Sequence, residues 1–397
     1  MRRQIDTYIE SLIEPERFEF YRNLCSFSDR EIVPKLLSWE RERCLIDDAA
    51  IKAMADFGLF GLTVEESFGG AGGQMLDLIL MGFALGYHSH SVAITPGAAV
   101  SLGIKPLQLA GTKKQKAAHL YDLATGKRMF IFGLSEPGRG SDAANPQVTA
   151  KRINNGWCIN GEKCWITNAK WASHTIVHAL TNPDGRRAHR STCFIVPMNH
   201  PNICYREIEG KQAWRQSSTG SIFFDNVEVS EDAMLGELNE GFKVMVSTLN
   251  GGRLFISALA LASLAYALDA TRRYAQERTQ FNNRLIGRFQ RVQDVLIDMD
   301  IALEQGVIWL INAVKQYDAG IMCRETAAKL KIECSQRASV LLPAAMEICG
   351  GMGCIDEFGL ARHRDDLFVA RVGEGSNFAL RDLVVRPLIP EVPHFEQ

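Results

Sequence analysis

The chain has 397 residues, with 44 Lys and Arg against 46 Asp and Glu, 46% hydrophobic and 23% charged residues. That composition excludes a disordered, collagen-like or disulfide-dense miniature fold. A formal net charge of −2 argues against nucleic acid or an anionic membrane as a partner, and the length allows two or three domains.

Met1 to Pro15 carries charges throughout and no apolar stretch, so it does not read as a secretory leader. Ten scattered cysteines, Cys323 among them, form no C-x-x-C pair. They read as reduced thiols of a cytoplasmic protein. Residues 1–127 read as an N-terminal α-helical domain. Ile51 to Phe57 is apolar-periodic and stops at Gly58, Met75 to Tyr87 is strongly apolar, Ala98 to Leu109 is small and apolar, and Lys113 to Leu123 is amphipathic. His88 and His90 have no carboxylate or cysteine cluster nearby in sequence and read as packing or surface residues, so no metal is expected.

Residues 128–238 change to β-rich runs and turns, a middle β-domain or small barrel. Asn155-Gly156 and Asn160-Gly161 flank a short strand as two tight turns, and His174 to Leu180, Thr192 to Val196 and Ser221 to Val229 read as further strands. Residues 239–397 return to long helices over Arg253 to Tyr274, Phe289 to Ala313, Glu325 to Ile348 and Leu380 to Leu388. They read as a C-terminal helical bundle that also packs on another subunit. The longest uncharged apolar run, Leu254 to Leu268, has 15 residues, short of the roughly 18–20 of a membrane span. The fold class expected is thus α+β, mainly α.

Five segments carry chemistry. Phe132 to Asp142 opens as a strand and turns through Pro137, Gly138 and Gly140, exposing backbone groups to a heteroaromatic or a phosphate. An ordinary turn explains the glycines as well. Trp165 and Thr167 stand on one side of a strand, suited to a flat cofactor or simply to a core tryptophan. Arg278 at a helix end is a phosphate fork or a solvated terminus. Ile348 to Gly353 holds paired glycines, a close ligand approach or a helix stop. Glu374 lies between two glycines at the head of the last helix, a carboxylate free to approach a substrate carbon or a first-turn residue serving the helix dipole.

In order and spacing these segments resemble the acyl-CoA dehydrogenase family from about Arg22 to Leu388. Ser135 to Asp142 (SEPGRGSD) is similar to its first signature and Asn160 to Asn168 (NGEKCWITN) to its second. ERTQF, CGGMG and GEGSN resemble its Arg-x-x-Phe, Gly-Gly-x-Gly and catalytic Glu-Gly-Thr/Ser stretches. Gly58 to Gly73 and Arg215 to Ser230 also look like family segments. The resemblance implies a helical domain, a β-domain and a four-helix bundle, in a homotetramer or dimer, with FAD held between the last two domains and a neighbouring subunit. By position, Phe132, Leu134, Ser135, Trp165, Ile166 and Thr167 would contact the flavin ring. Arg278, Gln280, Phe281, Phe289, Gln290, Glu347, Gly350 and Gly351 would hold the pyrophosphate and adenosine, and Ser376 and Asn377 would lie on the FAD as well. Ser141, Asn250, Arg253 and Gly375 would face the substrate. Glu374 would be the catalytic base, because the alternative family position near Gly252 has no carboxylate here.

The activity implied is α,β-dehydrogenation of an acyl-CoA or carrier-bound acyl thioester to a trans-2-enoyl thioester, with electrons passed to an electron-transfer flavoprotein. A carrier-bound or enoyl-reducing variant and a non-catalytic flavin scaffold are the alternatives. Acyl length is expected to depend on a pocket between Met75 to Gly86 and Val246 to Phe255. Gly373 replaces a bulky residue, Glu347 a glutamine and Asn282 a glycine, and Arg139 is expected to project toward an acyl carrier.

Overall fold

A computed structural model describes residues 3–321 and 324–390; Cys323 lies outside them. Eight helices open the chain: α1 (Gln4–Glu10), α2 (Pro15–Phe27), α3 (Val33–Glu42), α4 (Asp48–Asp56), α5 (Met75–Gly86), α6 (His90–Ala98), α7 (Lys105–Ala110) and α8 (Lys113–Ala124). Side chains close their free N-terminal amides. Asp47 Oδ1 accepts from Ala50 N at 2.7 Å to start α4, and Thr112 and Gln115 cap one another's backbone at α8. The expected helix over Ala98 to Leu109 is the second half of a longer rod. It runs from α6 through a wide π-type turn at Ala99–Ile104 into α7, the wide turn following soon after Pro96, whose missing N–H interrupts the ladder.

The middle of the chain forms one mixed sheet of β1 (Phe130–Gly133), β2 (Thr149–Ile153), β3 (Gly156–Thr167), β4 (His174–Leu180), β5 (Ser191–Pro197), β6 (Ile203–Glu207), β7 (Thr219–Ser230) and β8 (Met234–Leu235). The order is β6-β7-β3-β2-β4-β5-β8, with β1 parallel to β4. Asn155-Gly156 is the β2–β3 turn, as expected. Asn160-Gly161 is not a second turn: β3 runs through it and slips register on β7 between Ile159 and Gly161. Gly161 holds φ +131°, and a Cβ there would stand 2.9 Å from Val148 Cγ2, so a bulge, rather than a reversal, uses the glycine.

The C-terminal region holds α9 (Gly241–Glu277), the short hairpin β9 (Thr279–Gln280) and β10 (Arg284–Leu285), α10 (Gln290–Asp318), α11 (Arg324–Cys349), α12 (Leu360–Val372) and α13 (Asn377–Val385). α9 starts at Gly241, well before the expected Arg253, because Asn250-Gly251-Gly252 lowers its helical signal without breaking it. It is long and apolar enough by composition to cross a bilayer, yet 94% of its most apolar window is buried inside the protein. Its neighbours are α5, α10, α11 and α12. The N-terminal helices and this bundle share one continuous apolar core, whereas the sheet closes a second core around Ile159, Ile166, Phe194 and Ile222. His88 and His90 are packing residues, as read: His88 Nε2 pairs with Asp29 at 2.9 Å and His90 Nε2 lies 2.7 Å from Leu259 O.

Candidate active site

The loop between α12 and α13 sets Glu374 in an unusual backbone. Its φ is +56°, left-handed for a residue with a side chain, and Gly375 follows at +92°. Such a residue costs roughly 1–2 kcal/mol and needs the surroundings to hold it. Lys331 of α11 supplies much of that hold. Its fully buried Nζ donates to Arg371 O at 2.9 Å, Gly375 O at 2.7 Å and Asn377 Oδ1 at 2.9 Å. Arg253 Nε donates to Glu374 O at 3.2 Å, and Arg253 Nη1 to Asn250 Oδ1 at 3.1 Å. Ser376 caps α13 by accepting from Ala379 N at 3.2 Å.

The Glu374 carboxylate rests on α9 at Gly252, where a Cβ would lie 2.5 to 2.7 Å from its oxygens and Cδ. Only glycine leaves that space. Glu374 Oε2 is shut from solvent and has no hydrogen-bond partner among the described residues. Loss of water pushes the carboxyl up to about 7, against the pull of the Arg253 and Lys331 charges. Burial likewise brings the Lys331 ammonium down to about 7, with the Glu374 charge opposing. One position back, Gly251 borders a cavity of about 340 Å³ between α5, the α6–α7 rod and the end of α10. This is where the acyl pocket is expected.

Two of the expected segments meet at the edge of the sheet. Cys164 N donates to Ser135 O at 2.9 Å. Beneath them Lys163 Nζ and Glu136 Oε1, both fully buried, pair at 2.7 Å, and Glu136 also accepts from Gln147 N at 2.6 Å and Val148 N at 3.1 Å. The loop carrying the first segment is therefore pinned to β3. A second register slip, between Lys163 and Ile166, throws Trp165 to φ +59° with 64% of its surface exposed. Leu134, Ser135 and Thr167 are half-buried beside it, whereas Phe132 and Ile166 point into the two cores. Ser141 is exposed. Arg139, partly exposed, pairs with Asp142 at 2.8 Å.

The third and fourth segments lie elsewhere on the helical region. Arg278 and Gln280 are exposed on the hairpin after α9. Turned with its oxygen toward the guanidinium, the Gln280 amide accepts from Arg278 Nη2 at 2.8 Å and Nε at 3.2 Å. Phe281, 76% exposed, meets Phe289 edge-on at 5.8 Å, and Gln290 is exposed. Glu347, Gly350 and Gly351 lie exposed at the end of α11, and a Cβ at either glycine would meet none of the described residues within 4 Å. Among the described residues no hydrogen bond or ring contact joins this group to the sheet-edge group. Asn377, expected toward the cofactor, is buried with its amide bonded to Lys331 and to Ser335 Oγ at 3.0 Å.

Sequence reasoning missed Lys331, Lys163 with Glu136, and the space-making role of Gly252. Lys331 left a signal: it falls on the buried stripe Ala327, Ala328, Leu330, Cys334, Ser335 and Ala338 of α11, where a solvated lysine does not belong.

Comparison with known proteins gives matches to three acyl-CoA dehydrogenase family models: the N-terminal domain over residues 14–127, the middle domain over 131–227 and the C-terminal domain over 239–389. A probable acyl-CoA dehydrogenase of Bacillus subtilis, YngJ, is 37% identical over 342 residues, 85% of this chain and 89% of that protein. Butyryl-CoA dehydrogenase from Megasphaera elsdenii superposes with a TM-score of 0.90 at 30% identity, covering 95% of this chain and 99% of that one. A glutaryl-CoA dehydrogenase from Mycobacterium smegmatis, solved in complex with FADH2, gives 0.88 at 26% identity over 96% of each chain.

Proposed function

The chain belongs to the acyl-CoA dehydrogenase family, FAD-dependent oxidoreductases that act on a CH–CH bond, and we propose that it converts a short acyl-CoA to its trans-2-enoyl thioester. The observation that carries this reading is the Glu374 carboxylate, with Oε2 shut from solvent and unpartnered among the described residues and its pKa lifted to about 7. A carbon acid demands such a base, ionisable near neutral pH and stripped of the water that would weaken it. Glu374 takes the α-proton onto its carboxylate. Arg253 and Lys331, bonded to the same loop, keep the carboxylate facing Gly252 and favour its charged form before the transfer. The thioester oxygen is assigned to the backbone N–H of Glu374, where charge builds as the proton leaves.

The residues fit FAD. Trp165 offers an exposed ring beside the half-buried Ser135 and Thr167, and the bare backbone at Gly350 and Gly351 leaves open space for a close approach. When bound, FAD supplies the acceptor for the hydride leaving the β-carbon. Leu134, Ser135, Trp165 and Thr167 hold the ring end in this reading. Arg278, Gln280, Phe281, Phe289, Gln290 and Glu347 of a neighbouring copy hold the other end, which makes the enzyme a homo-oligomer. The structural likeness to a butyryl-CoA dehydrogenase supports a short acyl group. An electron-transfer flavoprotein is the proposed acceptor.

Anaerobic mixing of the FAD-loaded protein with butyryl-CoA tests the reading. The flavin absorbance should bleach in the wild type. Glu374→Gln should keep its flavin and bleach at least about a thousandfold more slowly. Equal rates would remove Glu374 from the mechanism, and a protein unable to take up FAD would end the assignment.

A further inference from the structure

The cavity bordered by Gly251 is more polar than a hydrocarbon chain requires. Its volume of about 340 Å³ lies at the small end of ligand pockets, roughly 300–1,000 Å³. A Cβ at Gly251 would stand 3.4 Å from Tyr317 Oη, while the next residue, Gly252, touches the Glu374 carboxylate, so the cavity and the base lie against adjacent residues of α9. Ser101, Lys105, Gln108, Tyr317 and Asp318 line it.

Three of these are already engaged within the fold. Ser101 Oγ donates to Gly97 O at 2.7 Å and Gln108 Nε2 to Thr63 O at 2.7 Å. Asp318 accepts from Met75 N at 2.9 Å and Leu76 N at 3.1 Å, so its charge sits on the positive end of α5. Lys105 differs. Its half-buried ammonium lies 5.7 Å from the centre of the Tyr317 ring and within the field of the Asp318 carboxylate, yet makes no hydrogen bond and no ion pair within 4 Å among the described residues. Asp318 offsets part of the cost of burying that charge, but its oxygens are bonded to α5, so the three Lys105 N–H donors are left for an acceptor in the cavity.

We infer that the acyl group turned over here ends in an oxygen acceptor, a carboxylate or a neutral hydroxyl or carbonyl, which Lys105 Nζ receives at the far wall of the cavity. This rests on Glu374 being the base, since that placement makes the cavity the acyl pocket. The pocket then discriminates by what it leaves unpaired: a plain alkyl chain of equal length strands the Lys105 donors, and a polar-ended chain satisfies them.

Binding of non-oxidisable CoA thioethers to the FAD-loaded protein reads this without turnover. Alkyl, hydroxyalkyl and carboxyalkyl thioethers of equal length are compared by calorimetry in the wild type, Lys105→Met and Lys105→Arg. The wild type should bind at least one polar-ended ligand about tenfold more tightly than the alkyl one. Lys105→Met should abolish or invert that ratio, and Lys105→Arg should keep it. Preference for the carboxyalkyl ligand alone identifies an anionic acceptor, and preference for both polar ligands a neutral one. Tighter binding of the alkyl ligand by the wild type, or a ratio that Lys105→Met leaves unchanged, overturns the inference. Butyryl-CoA bleaching in Glu374→Gln reports on the base separately, so the two failures are distinguishable.

Discussion

Left-handed backbone at a residue with a side chain is uncommon, and Trp165, Phe281 and Glu374 all adopt it, at φ +59°, +45° and +56°. Each lies in a different expected segment, and two of the three side chains are strongly exposed while the third is a carboxylate with one oxygen, Oε2, shut from solvent. Glu374 stands out in the sequence through the resemblance of its Gly-Glu-Gly-Ser stretch to the family's, since its flanking glycines alone leave a first-turn residue equally open. The resemblance put Arg253 near the substrate, whereas Lys331 and the packing of the carboxylate on Gly252 emerge only through the tertiary fold. The raised pKa sets two expectations. kcat/KM should climb with pH through about 7, as the base loses its proton. A carboxyl whose folded value lies above its unfolded one holds a proton that the unfolded chain releases. Its contribution to stability therefore falls as pH rises from about 4.5 to about 7. Thermal unfolding of Glu374→Gln should lack that decline. Lys331→Met removes a charge that favours the ionised base, so the rising limb of its pH–rate profile should move to higher pH and kcat should drop. Lys331→Arg should move it less. A profile that stays in place would leave Lys331 only a structural part.

Elements were read more accurately where their pattern was local. β4 follows its apolar run from His174 to Leu180, and α8 its amphipathic run from Lys113 to Leu123. β3 defied the reading because a glycine in a bulge and a glycine in a turn look alike in one dimension, and only the partner strand decides. α12 went unread because Arg362, Arg364 and Asp365 mask its buried face of Leu360, Leu367 and Ala370. α9 offers a sharp test of element against site. Gly252→Ala should favour the helix by up to about 1 kcal/mol, yet its methyl would press on the Glu374 oxygens from 2.5 Å. The expected variant folds as well as the wild type or better and retains FAD. It loses about a hundredfold in kcat, the scale of a displacement near 1 Å at a reacting group. Unchanged kcat would show that the carboxylate has room to spare.

On the scale of the whole molecule, the first and last helical regions share one core and the sheet has its own, so the junction between them is where a cofactor can reach both. The proposed adenosine segment lies away from the ring segment in a single chain, which no one-dimensional spacing reveals. If a second copy completes the site, dilution should release FAD in step with dissociation, and Arg278→Ala should weaken FAD binding in proportion to its loss of oligomer or of phosphate contact. Sedimentation monitored at the flavin band reads both. Flavin retained by a fully monomeric species would contradict shared binding. The central claim remains that Glu374 removes a proton from carbon. It is tested most directly by hydrogen exchange from an acetyl thioester in D2O, because that ligand has α-hydrogens and no β-carbon to oxidise. The wild-type protein should exchange the methyl protons, and Glu374→Gln, with its flavin intact, should do so at least about a thousandfold more slowly; exchange at equal rates in the two proteins would contradict it.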